Sequence, residues 1–192
     1  MCGRYYIDEP TYTYLETIIK DPISFRVCGD IHPSEDALIL TADRDGLLPN
    51  VMRWGFPSKE SNKLLINARS ETALSKPTFS DSIASRRCII PAKQFYEWNK
   101  EKEKVTFTWA DHPLLFMAGF YRPFAAENRF IILTTEANDS MRWVHDRMPL
   151  IFSQEDILDW ILDNKKTSAF LSAGSPMLTG FQEYKQMSLF ET

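Results

Sequence analysis

Cys2, followed by Gly3 and Arg4, stands where loss of Met1 exposes an amine and a thiol on one residue. A small side chain after the initiator favours that trimming. The α-amine has a reference pKa near ~7.7–8.0 and the thiol near ~8.5, so each has a reactive fraction at neutral pH. An aldehyde meeting such a terminus forms an imine with nitrogen, and sulfur then closes a five-membered thiazolidine on the same carbon. The plain alternative is that Cys2 is a small apolar residue opening a first strand, because free cysteine is among the most buried side chains.

Three further segments place polar groups beside strongly apolar neighbours: Asn67-Ala68-Arg69-Ser70-Glu71-Thr72, Phe95-Tyr96-Glu97-Trp98 and Val144-His145-Asp146-Arg147-Met148-Pro149. Glu97 lies in a run expected to be a strand. Either its carboxyl enters a poorly solvated pocket, which raises its pKa, or strand alternation turns it to water opposite the buried aromatics. His145 is one of three histidines, and the other two, His32 and His112, each precede a proline and read as turn residues. That leaves His145 as the acid/base candidate, against a reading in which hydrogen bonds near a helix end, with Asp146 or Arg147, simply satisfy it. Asn67 can equally start a helix, and Arg69 can equally be a surface partner for Glu71. No combination of these segments has the ligand types and spacing of a metal site, and no cofactor is expected.

These side chains need elements to hold them. Cys2 to Ile7 favours a strand, and Glu9-Pro10 opens a helix whose Tyr12, Leu15, Ile18 and Ile19 recur at helical spacing. Strand-like runs follow at 37–40, 51–55, 88–90, 94–98, 105–109, 115–119 and 130–133, with 100–104 as a solvated hairpin loop. Helices are expected after Asn67 through Leu74, over 79–85, and behind Asn138-Asp139-Ser140, where a short helix carries Trp143. A last helix follows Ser153, with Asp156 completing a capping box and Ile157, Leu158, Trp160 and Ile161 forming its apolar face. The expected fold is α+β, one domain over 1–192 with a mostly antiparallel, barrel-like sheet core flanked by helices.

Composition bounds the partners. The 192 residues are 44% hydrophobic and 25% charged, as in a soluble globular protein. The three cysteines are odd in number and lack C-x-x-C spacing, so a reducing cytoplasm is expected rather than a disulfide framework. No leader precedes Cys2 and no apolar run approaches the ~18 residues of a membrane span. A net charge of -4 gives no overall pull toward nucleic acid, so such a partner must be held locally. The basic residues Arg69, Lys76, Arg86, Arg87 and Lys93 read as ordinary solvated surface.

Eight segments occur in an order that resembles the SRAP (SOS response-associated peptidase) family. They are Met1-Cys2-Gly3-Arg4, Arg53-Trp54-Gly55-Phe56, the segment 67–72, Arg86-Arg87-Cys88-Ile89-Ile90-Pro91-Ala92, the segment 95–98, Ala118-Gly119-Phe120, Leu133-Thr134-Thr135-Glu136-Ala137-Asn138 and His145-Asp146-Arg147-Met148-Pro149. Gln94 departs from the family's glycine, Phe56-Pro57-Ser58-Lys59 lacks a second tryptophan, and the segment after Gly180 lacks the family's closing pattern. The resemblance implies a monomer near the nucleoid that senses abasic sites in single-stranded DNA and crosslinks to them through Cys2. It further implies that Asn67 orients the terminus, that Glu97 assists sugar ring opening and proton transfer, and that His145 shuttles a proton. Arg4 and Arg69 would clamp phosphates, while Trp54 would stack on DNA or, as its neighbours favour, fill core. The family name also records a peptidase activity, for which removal of Met1 is the evident cleavage. The rival enzyme class is an N-terminal-nucleophile thiol amidohydrolase, whose α-amine serves as base.

Overall fold

The computed structural model describes residues 2–58 and 63–182. The first half of the chain contains β1 (Tyr5–Ile7), α1 (Glu9–Ile18), β2 (Gly29–Ile31), β3 (Asp36–Asp43), β4 (Gly46–Trp54), β5 (Phe56–Pro57), β6 (Leu64–Leu65), β7 (Asn67–Arg69), α2 (Ser70–Ala73) and α3 (Ser80–Ser85). It continues with β8 (Arg87–Ala92), β9 (Gln94–Trp98), β10 (Lys104–Thr108), β11 (Leu115–Pro123) and β12 (Asn128–Glu136). The described chain ends with β13 (Arg147–Pro149), β14 (Ile151–Phe152), α4 (Ile157–Leu162), α5 (Thr167–Ser172) and β15 (Thr179–Gln182).

Two larger sheets carry the fold. The first runs β15-β10-β9-β1-β2, all antiparallel. In the second, β12, β4, β3, β8 and β11 pair in a closed circuit, with β13, β14 and β7 added to it. Closure removes the free edges that an open sheet exposes, and it is the ring-like form of the sheet core expected from the sequence. Among the described residues, only β4 and β7 run parallel to their partner β12. The architecture is α+β, with short helices on the outside of the sheets.

Gly119 explains why the ring closes where it does. A Cβ there would stand 2.6 Å from the Ile131 carbonyl oxygen and 2.5 Å from Ile90 Cδ1, so only glycine lets β11 lie between β8 and β12. Gly55 adopts φ +106° between β4 and β5, a left-handed conformation that disfavours other residues.

Trp54 joins the two sheets. Its ring is fully buried, 5.4 Å from Tyr5 of the first sheet and 6.1 Å from Phe130 of the second, and its Nε1 donates to the Ile66 carbonyl at 3.0 Å. Truncating a buried tryptophan to alanine costs about 3–5 kcal/mol. The DNA-stacking assignment for Trp54 is therefore corrected: no face of the ring reaches the surface, and the residue fills core.

Other expectations meet the structure unevenly. α1 begins where Pro10 placed it, with Asp8 capping it by accepting from the Thr11 amide at 2.9 Å. The expected loop does turn β9 into β10, but it ends at Glu103: Lys104 already belongs to β10, opposite Trp98. Behind Asn138, however, there is no helix: Asn138 Oδ1 accepts from the Ser140 amide at 3.1 Å, and successive turns carry the chain to His145. An Asx-turn competes with helix initiation and wins here. At 153–156 the Ser153 hydroxyl donates to Asp156 Oδ2 at 2.7 Å instead of capping a backbone amide, and a short 3-10 turn leads into α4. Residues 2–4 precede β1 rather than belonging to it.

Candidate functional site

The site lies where the two sheets meet. The first sheet supplies Cys2 and Arg4, just ahead of β1, and Glu97 on β9. The second supplies Asn67 and Arg69 on β7, the connection after β12 brings His145, and β13 opens with Arg147.

Cys2 is fully buried, and its Sγ points to the Arg4 carbonyl oxygen at 3.8 Å. Burial first, and the negative charge of Glu97 second, push the thiol pKa up to about 12. The sequence-based expectation of a partly ionised thiol at neutral pH is thereby corrected: this thiol is held neutral. The carbonyl oxygen of Cys2 accepts a hydrogen bond from Asn67 Nδ2 at 3.0 Å. Asn67 reaches it because β7 alternates, with Ala68 buried against the core and Asn67 and Arg69 sharing the opposite side.

Glu97 is only 5% exposed, which settles the choice between pocket and water in favour of the pocket. Its Oε1 lies 3.4 Å from the Trp98 amide. Trp98, the next residue along β9, carries the Arg4 guanidinium over its ring at 5.0 Å, and Arg4 Nη1 also reaches Asp30 at 3.5 Å. The cation at position 4 is thus already oriented by an aromatic face and a carboxylate.

His145 sits on the connection between β12 and β13. Its Nδ1 lies 3.0 Å from the Arg147 amide nitrogen and 2.8 Å from Asp146 Oδ1. One nitrogen serves only one of these at a time: with a lone pair it accepts from Arg147, and protonated it donates to Asp146. These are the two neighbours that the satisfied-histidine reading named, and they orient the imidazole on this connection. His145 also lines a cleft of about 610 Å³ together with Trp98, Asn99, Lys100 and Trp143.

Arg147 was passed over in the sequence, although it lies inside the quoted His-Asp-Arg-Met-Pro segment. Its guanidinium makes a two-pronged pair with Glu71, at 2.7 and 2.9 Å, and donates to the Thr134 carbonyl at 2.6 Å. The Arg147 hydrogen bond holds the Glu71 carboxyl below the usual carboxylate range, against the opposing effect of partial burial. Glu71 therefore pairs with Arg147 rather than Arg69, which stays exposed. The pair ties α2, and with it β7, to β13.

Buried polar atoms without a hydrogen-bond partner among the described residues concentrate in this region: Arg4 Nε, Tyr5 Oη, Asn67 Oδ1, Ser70 Oγ, Thr72 Oγ1 and Arg147 Nε. Buried polar groups are ordinarily satisfied, so such a concentration marks a site organised for something other than stability. Tyr5 is the second residue missed in the sequence. Burial lifts its phenol well above the ordinary value, with the nearby Cys2 thiolate form the next cause. Among the described residues, no group of three or more His, Cys, Asp or Glu could hold a metal ion.

Arg87 must be removed from the surface basic cluster. It is 2% exposed and donates to the carbonyls of Ile83 at 3.0 Å, Ala84 at 2.9 Å and Ile161 at 2.9 Å, and to Asn164 Oδ1 at 2.7 Å. It closes the C-terminal ends of α3 and α4, where exposed carbonyls attract a cation.

The profile described as SOS response associated peptidase (SRAP) matches residues 1–188. The abasic site processing protein YoaM of Bacillus subtilis (strain 168) is 33% identical over 190 residues, covering 88% of this chain and 82% of its own. The abasic site processing protein YedK of Escherichia coli (strain K12) is 30% identical over 193 residues, covering 91% and 86%. A solved protein from Bordetella bronchiseptica superposes with a TM-score of 0.81 at 26% identity, covering 96% of this chain and all 100% of that one. With the family profile spanning nearly its whole length, this chain belongs to the SRAP family.

Proposed function

We propose that this chain captures abasic sites in single-stranded DNA by forming a thiazolidine between the open-chain sugar aldehyde and Cys2, once Met1 has been removed. The observation that carries the reading is the environment of Cys2: a buried residue pinned through its carbonyl by Asn67 and placed within the field of Glu97.

The closed sugar must first open, which moves a proton from the C1′ hydroxyl and returns one to the ring oxygen; Glu97 and His145 are the groups assigned to these transfers. The freed α-amine of Cys2 adds to the C1′ aldehyde, and loss of one water leaves an imine. A neutral, desolvated thiol does not compete with the amine for that first attack. Sulfur then bonds to C1′, the C=N π pair returns to nitrogen, and the thiol proton is transferred to nitrogen. Aldehyde plus aminothiol gives thiazolidine plus water, with no oxidant or reductant. An imine at C1′ is also the intermediate of lyase chemistry, and capture by sulfur diverts it from strand cleavage. The product is thus a stable adduct that shields the lesion.

Arg4 and Arg69 are assigned to phosphates on either side of the lesion, supplying positive charge that the acidic whole does not. The chain would act as a monomer, in the cytoplasm at the nucleoid, and removal of Met1 would be its one self-directed peptide cleavage.

Incubation with an abasic single-stranded oligonucleotide, followed by a denaturing gel, tests the reading. A shifted band that Cys2→Ala abolishes supports it. Absence of any shift, with hydrolysis of glutamine or a peptide, would instead support the N-terminal-nucleophile amidohydrolase.

A further inference from the structure

Trp143 takes no part in the chemistry assigned above, yet it is presented as a working surface. It is 54% exposed, on the turn two residues ahead of His145. The indole is nevertheless fixed. Its Nε1 donates to the Ser140 carbonyl at 3.0 Å. Its Cζ2 would lie 3.3 Å from a Cβ at Gly180, so glycine on β15 lets the ring lie close against that strand. A large apolar ring held rigid and left half in water suits recognition better than packing.

The surroundings name the ligand. The cleft that Trp143 lines, of about 610 Å³, lies within the ~300–1,000 Å³ range of small-molecule sites. Asn99 and Lys100 of the β9–β10 turn line it from one chain segment, with Trp98 at the end of β9, and Arg142 and His145 line it from Trp143's own segment. Its charges are mixed: Arg142 pairs with Asp139 at 3.2 Å and Asp146 pairs with His145, which leaves Lys100 as the cation on the other segment. A fixed π face sharing a cleft with a lysine is the combination that holds a base and its phosphate irrespective of sequence.

We propose that Trp143 is a stacking platform for one base adjacent to the abasic sugar, with Lys100 against the phosphate of that nucleotide. The inference rests on the single-stranded DNA reading above and extends it to a specific subsite.

Binding is measured with oligonucleotides carrying tetrahydrofuran in place of the abasic sugar, which lacks the aldehyde and separates affinity from reaction. Trp143→Leu keeps apolar packing against Gly180 but removes the π face; it should weaken binding about tenfold, as loss of one stacked base does, whereas Trp143→Phe should stay near wild type. Deleting the flanking bases one at a time should identify one whose loss weakens wild type but leaves Trp143→Leu unchanged. Trp143 emission, taken as the difference between wild type and Trp143→Phe, should be quenched on binding. Wild-type affinity in Trp143→Leu, equal base-deletion penalties in both proteins, or unquenched emission each overturns the proposal. Wild-type protein that crosslinks an abasic oligonucleotide while the Trp143 cycle is flat contradicts only this subsite; wild type that neither binds nor crosslinks contradicts the abasic-site reading itself.

Discussion

The side-chain amide of Asn67, on a strand of one sheet, donates to the main-chain carbonyl of Cys2, ahead of the first strand of the other, at 3.0 Å. This bond fixes Cys2 through its carbonyl and engages neither its nitrogen nor its sulfur. Asn67→Ala should slow crosslinking about tenfold while lowering the melting temperature by only ~2–4 °C, since one such bond contributes about 1 kcal/mol to folding. Single-turnover gel kinetics alongside thermal unfolding measure both. A rate equal to wild type would remove Asn67 from the positioning of the terminus.

Burial of the Cys2 thiol couples stability to alkaline pH. The folded-state pKa is raised, from 9.0 to about 12, so the neutral thiol stabilises the fold fully below pH 9 and this contribution is lost as pH rises toward 12. The stability difference between wild type and Cys2→Ala should shrink above pH 9 by about 1.4 kcal/mol per pH unit. Denaturant unfolding at pH 8, 9.5 and 10.5 checks it. A difference independent of pH would mean that the thiol is solvated.

Glu97 contributes charge next to Cys2 and is assigned to proton transfer. Glu97→Gln keeps the size of the side chain, and should slow crosslinking by about 10²-fold or more while affinity for a tetrahydrofuran oligonucleotide stays within about twofold, because general acid–base contributions are of that order. Equal crosslinking rates in the two proteins would end its role in the mechanism.

Arg69 is exposed on the face of β7 that it shares with Asn67. Arg69→Ala should weaken single-stranded DNA binding equally across sequences and reduce the slope of log affinity against log salt by ~0.7, the value for one phosphate on a single strand. An unchanged slope from salt titrations would refute the phosphate assignment.

Arg87 is the opposite case. Arg87→Met should cost about 3–5 kcal/mol of stability, because it strips buried carbonyls at two helix ends of their donor. The salt slope for DNA should stay that of wild type. Chemical denaturation and salt titration of the one variant report both, and a stable protein with a reduced slope would return Arg87 to the DNA-binding surface.

Much of this was legible in the sequence, and the exceptions share a cause. Runs rich in aromatic and β-branched residues such as 94–98 and 130–133 lie within β9 and β12, because strand-favouring composition is a local property. Residues 29–31, 147–149 and 179–182 were missed as strands, since runs of three or four residues acquire strand character only from a partner distant in the chain. Arg87 looked like surface because charge alone does not reveal that two helices end on it. Tyr5 and Arg147 gave no signal of their own, as their importance comes from the seam between sheets. The Asn138 segment read as a helix cap because the same residue type also starts an Asx-turn.

Intact mass and peptide mapping of the protein–DNA adduct test the central claim most directly. The account predicts a species equal to the chain lacking Met1 plus the abasic oligonucleotide minus one water, with the modification on Cys2. An adduct that retains Met1, or one mapped to a lysine, would contradict it.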